Sequence, residues 1–217
     1  MNIDWQLPEL RAGLKGKIDS FIGPGATDAE KALQLYVPFI SSAALLLWAW
    51  HGELGWSVIQ FVVAGILAVD IVGGIITNAT SSAKRWFHRD GQGFKQHMSF
   101  IALHFVQLSL FSWAFLQVDV WWVLLTGTYM LVACAWVLKT PLYLQRPVAL
   151  ILYSFALVIG LAVFDAPPGL AWFLPLFYLK LLISHILREE PYRPDLFGCG
   201  LSSQFESSVR SGTSGGQ

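Results

Sequence analysis

The chain has 217 residues, of which 55% are hydrophobic and only 13% are charged. So few charges cannot cover a water-soluble domain of this size, and ten Trp with fifteen Phe call for an apolar solvent, so the lipid bilayer is the expected environment. A formal net charge of zero removes the basic surplus that nucleic-acid binding brings, and no nucleic-acid partner is expected.

Residues 1–27 read as a polar N-terminal segment. Trp5, Leu10, Leu14, Ile18 and Phe21 recur at roughly helical spacing, with Arg11, Lys15 and Lys17 opposite. That pattern predicts an amphipathic helix lying in the membrane interface, and it also fits a solvated helix packed on a bundle. No basic stretch leads into an apolar one here, so a cleaved signal peptide is not expected. After Gly23-Pro24-Gly25, Thr27 and Glu30 form a capping-box pattern that should start the first membrane helix near Asp28.

Six apolar stretches follow, at 35–52, 56–77, 98–118, 120–138, 147–164 and 168–187. Each is long enough to cross a hydrocarbon layer of about 30 Å at about 1.5 Å per residue, and each is too long and too evenly apolar for a barrel strand. The expected fold is therefore all-α: a polytopic bundle of six transmembrane helices over residues 28–188, followed by a largely disordered tail at 189–217. Basic residues fall in alternate connections: Arg11, Lys15, Lys17 and Lys31; Lys84, Arg85, Arg89 and Lys95; Lys139 and Arg146; Arg188, Arg193 and Arg210. The positive-inside rule then places both termini in the cytoplasm and the protein in a plasma membrane, the inner membrane of a bacterium. Cys134 and Cys199 are too few and too far apart in the topology for a structural disulfide or a zinc site.

Asp70 and Lys180 are the only full charges well inside the predicted spans. Counted from the helix ends they lie at roughly 10 and 12 Å depth, and His104 lies at a similar level. On the second span Asp70, Gly73, Gly74, Thr77, Asn78 and Ser81 form one stripe of polar and small residues. On the third, His97, His104, Gln107 and Phe111 share a face. On the sixth, Lys180, Ser184 and Arg188 do so, whereas His185, five residues from Lys180, points about 140° away in an α-helix and is not grouped with it.

Together these stripes predict a cytoplasm-facing polar pocket with Asp70, His104 and Lys180 as catalytic or translocation residues at its floor. Asn78, Ser81, Lys84, Arg85, His97, Gln107 and Ser184 are the expected substrate-binding residues. A purely structural Asp70–Lys180 pair that fixes helix register is the competing reading. The loop at 81–90, with Lys84, Arg85 and Arg89 beside Trp86 and Phe87, suits anionic lipid headgroups, but such residues at a cytoplasmic helix end more often serve as a topology anchor, which is the favoured reading. No pair of His or Glu at metal-ligand spacing occurs, so no metal site is expected. No sequence feature assigns a cofactor.

Transport or permeation of a small polar or ionic species is the leading expectation. A membrane enzyme acting on a lipid or isoprenoid through His104 and Asp70 is one alternative, and a scaffold or accessory subunit of a membrane complex is another. Gly73 and Gly74 could also serve a homodimer face.

Overall fold

The computed structural model describes residues 2–193. Its helices are α1 (Gly13–Ile22), α2 (Asp28–His51), α3 (Val58–Ala79), α4 (Ser81–Phe87), α5 (Phe94–Leu103), α6 (Phe105–Phe115), α7 (Val120–Lys139), α8 (Leu142–Val163) and α9 (Phe173–Tyr178). The last continues directly into a π-helical turn at Leu179–His185.

Over the described residues the protein is an all-α bundle with five helical segments long and apolar enough to cross a membrane: α2, α3, the α5–α6 pair, α7 and α8, of 20 to 24 residues each. At about 1.5 Å per residue these span about 30 to 36 Å. Capping explains where two of them start. Thr27 Oγ1 accepts the backbone N–H of Glu30 while the Thr27 N–H donates to the Glu30 carboxylate, and Ser57 and Gln60 repeat the arrangement at α3.

The sixth predicted crossing, 168–187, differs. Its helical part is only 13 residues, Phe173–His185, because Pro167, Pro168 and the positive-φ Gly169 hold a turn before it. Phe173, Phe177, Leu181 and Leu182 are fully buried. Its apolar character therefore fills the bundle centre, where α3, α7 and α8 surround it, rather than facing lipid.

The α5–α6 boundary lies at His104. Its backbone N–H bonds to the Ile101 carbonyl three residues back, and its ring bonds to the Phe100 carbonyl four residues back through Nδ1 at 2.9 Å. The side chain thus takes the place of the backbone donor in the ladder, which breaks the helix without Pro or Gly.

The two described ends meet. Short strands β1 (Asn2–Ile3) and β2 (Tyr192–Arg193) pair antiparallel, Asp4 bonds Arg193 at 3.0 Å, and the Arg188 guanidinium lies 4.5 Å from the Trp5 ring centroid. The first and last elements accordingly close at the same end of the bundle. The expected amphipathic stripe from Trp5 to Phe21 is not one helix: Pro8 interrupts it, and only Gly13–Ile22 is helical. That helix buries Gly16 and Asp19 and leaves Leu14, Ile18 and Phe21 exposed. Gly23 rests on the backbone of Ser82, where a side chain would overlap the main chain at 2.3 Å. Of the tail expected to be disordered from 189 to 217, residues 189–193 are described and Tyr192–Arg193 form β2, since they pair with the N-terminal strand; the remainder, with Cys199, lies outside the described residues.

Candidate functional site

The polar stripe of α3 organises the site. Lys180 donates to Asp70 Oδ2 at 2.8 Å, and the Gln107 amide of α6 donates to the same oxygen. The ammonium side chain is 4% exposed, while that of Asp70 is 44% exposed on the outward face of the bundle. Lys180 reaches Asp70 across Gly74: a Cβ at that glycine would lie 2.2 Å from Lys180 Cε. Gly74 therefore lets a lysine side chain lie against the helix backbone, while Gly73 beside it faces Pro38 of α2.

One turn further along α3, Asn78 donates through Nδ2 to the Gly74 carbonyl at 2.7 Å, which turns its Oδ1 toward His185 Nδ1 at 2.9 Å. An amide oxygen can only accept, so His185 carries its proton on Nδ1 and leaves Nε2 bare. That Nε2 lies 3.2 Å from His97 Nδ1, which must then be the donor. His97 Nε2 is the unprotonated end of the chain. His88 adds a third imidazole, with Nε2 3.0 Å from the His185 carbonyl and its ring centroid 4.9 Å from that of His97. Phe100 stacks on His185 at 4.1 Å and shields it from the apolar side.

The π-helical turn makes this possible. Hydrogen bonds from residue i+5 to residue i, such as Ile186 N–H to the Leu181 carbonyl, bring residues five apart onto one side. Lys180 and His185 consequently both face α3, meeting Asp70, Gly74 and Asn78 at successive turns. The α-helical angle that separates them in the sequence reading does not apply. His185 and His88 are the residues that reading missed; the five-residue spacing of Lys180 and His185 against the four-residue spacing of Asp70, Gly74 and Asn78 is the one signal for His185, and no spacing in the sequence marks His88.

The other expected site residues divide clearly. His104 is buried and bonds its own helix; it makes no hydrogen bond to Asp70 or Lys180. Lys84, 2% exposed, donates to the carbonyls of Ser184 and Leu187, both at 2.6 Å, with Glu189 at 3.6 Å. It satisfies the free carbonyls at the end of the last helix. Ser184 takes part through that carbonyl. Arg85, also 2% exposed, donates to the Asp4 carbonyl at 2.8 Å and ties the N-terminal strand down. These two cations are turned inward, away from any headgroup, and Arg89 stacks on Trp86 at 3.5 Å. Ser81 sits half-buried at the start of α4 with no side-chain hydrogen bond.

Burial pushes the Lys84 ammonium down to about 8, against the raising influence of Glu189. Burial, with the Lys84 charge adding to it, pushes the His88 imidazole down to about 3, so this ring is neutral at physiological pH. A cavity of about 260 Å³ opens at this end of the bundle, lined by His88, His97, Gln92, Gln145 and Arg188 among others. The expected pocket floor is not part of it: Asp70, His104 and Lys180 do not line it, because the Lys180 side chain and the packed histidines fill the space between. Among the described residues no group of three potential metal ligands converges.

Comparison with protein-family models, with curated proteins and with solved structures finds no match to this chain.

Proposed function

We propose that the protein moves a small polar or ionic species across the membrane in steps coupled to a proton. The observation that carries this reading is the polar line along α3. It runs from a half-exposed carboxylate–ammonium pair at mid-helix, through Asn78, to a directed His185–His97 chain that ends beside an open cavity. A structural ion pair needs no histidine chain behind it.

In this reading Asp70 is the loading group. Protonating or replacing its counter-charge leaves the Lys180 ammonium buried without a partner, a state that costs several kcal/mol in a low-dielectric surround. The ammonium relieves that cost by moving along Gly74 toward Asn78. The histidine donors point from the cavity toward the pair: His97 Nε2 takes a proton at the cavity, His97 Nδ1–H passes its own to His185 Nε2, and His185 Nδ1–H is directed at Asn78.

The finer topology belongs to the same proposal. All six predicted segments traverse, the sixth inside a sheath of the other five. The paired termini and the basic connections face the cytoplasm of a plasma membrane, and α1 lies in the interface with Leu14, Ile18 and Phe21 toward lipid. The lipid-enzyme alternative loses support, since its Asp70–His104 dyad is not hydrogen-bonded.

Proteoliposomes carrying a pH-sensitive dye test the proposal. Wild type should dissipate an imposed proton gradient when the cargo is present, whereas Asp70→Asn and His185→Gln, folded by circular dichroism, should not. Equal flux in all three would remove the relay.

A further inference from the structure

At the end of the bundle opposite the histidines lies a second cavity of about 240 Å³, between α6, α7, α8 and α9. One wall is a stack of rings: Phe111 sits 5.3 Å from Trp122 and 3.9 Å from Phe173, centroid to centroid. All three are buried, as is Tyr178, which also lines the space and donates its hydroxyl to the Thr126 carbonyl. Its rim carries Asp119 and Asp165, both exposed. No Lys, Arg or His lines it. Asp119 spends one oxygen capping α7, accepting the Trp122 N–H at 2.9 Å, and among the described residues Asp165 pairs with no cation.

From this chemistry we infer that the cavity is a binding site for an organic cation of the alkyl- or arylammonium class. The stacked rings give the ligand's hydrocarbon body an apolar wall, and two carboxylates at the rim with no cation beside them select positive charge and repel acids. A neutral lipid tail would use the rings but gain nothing from Asp119 or Asp165. Gly160 in the wall keeps the space open, with Leu174 Cδ1 3.9 Å from where its Cβ would stand. The site does not depend on the flux reading above, because it is separated from the histidine end by about 21 Å, the 14 residues from His97 to Phe111.

The test is equilibrium binding in a maltoside detergent, followed by the NMR signals of the ligand. The probes are benzyltrimethylammonium and neopentylbenzene, its uncharged isostere. The ammonium should bind saturably and about fivefold more tightly than the isostere, the preference two exposed carboxylates supply. Asp165→Asn should remove most of that preference, and Gly160→Leu should abolish binding of both with thermal unfolding unchanged. Equal affinity for the two probes, or an ammonium affinity indifferent to both substitutions, would overturn the assignment. Because no gradient or flux enters the measurement, this outcome is independent of whether the protein transports.

Discussion

Neighbouring glycines of α3 should respond in opposite directions to the same substitution. At Gly73 an added Cβ would stand 3.4 Å from Pro38 Cγ, an ordinary contact, so Gly73→Ala should be neutral or gain up to about 1 kcal/mol from helix propensity. At Gly74 the same atom would stand 2.2 Å from Lys180 Cε and 2.9 Å from Cδ. Lys180 cannot step aside freely, since it is buried and held to Asp70 at 2.8 Å. Breaking a buried pair costs about 3–5 kcal/mol, but the exposure of Asp70 and the propensity gain of about 1 kcal/mol reduce the net loss for Gly74→Ala to about 1–3 kcal/mol. Equilibrium unfolding in mixed detergent micelles measures both variants against wild type. A third protein, Gly74→Ala with Lys180→Ala, supplies the coupling: with the lysine gone the added methyl should be harmless. If Gly74→Ala is as stable as Gly73→Ala, the close approach of Lys180 to the helix backbone is refuted.

Lys84→Met should cost about 1–3 kcal/mol by orphaning the Ser184 and Leu187 carbonyls, measured by the same unfolding assay. Because the folded Lys84 titrates near 8 and the unfolded one near its ordinary value of 10.5, the unfolded chain holds the extra proton between them. Wild-type stability should therefore rise with pH across that window, by at most about 1.4 kcal/mol per pH unit, and Lys84→Met should flatten the rise. His88 has the same sign at acid pH: its folded value of about 3 lies below the ordinary 6.5, so stability falls as pH drops from 6.5 toward 3, and His88→Gln should remove that slope. Thr27→Ala should lose the capping box and about 1 kcal/mol, visible as a lower unfolding midpoint.

Features of this protein that rest on short-range pattern were legible in the sequence. The start of α2 at Asp28 follows from Thr27 and Glu30, and long apolar runs identify the five helices long and apolar enough to span a membrane. The Asp70–Gly74–Asn78 stripe was visible as periodicity. Depth counting placed Asp70 and Lys180 level, and they meet. What periodicity cannot carry is a change of helical period. His185 joins the site only because Leu179–His185 is π-helical, and no residue in that turn announces it. Nor do charges in sequence reveal their partners: Lys84 and Arg85 look like headgroup ligands beside Trp86, yet they are spent on carbonyls 100 and 81 residues away. The break at His104, made by a ring replacing a backbone donor, carries no Pro or Gly to mark it. Finally, a segment apolar enough for lipid is also apolar enough for the centre of a bundle, which is where the sixth segment goes.

The protonation pattern of the histidines is the most direct measure of whether Asp70, Asn78, His185 and His97 act as one line. Nitrogen NMR on protein labelled at histidine should find His185 protonated on Nδ1 with a bare Nε2, and His97 protonated on Nδ1. Asp70→Asn should shift both signals, although residue 70 touches neither ring. A His185 proton on Nε2, or imidazole signals that ignore the substitution, would contradict a connected relay.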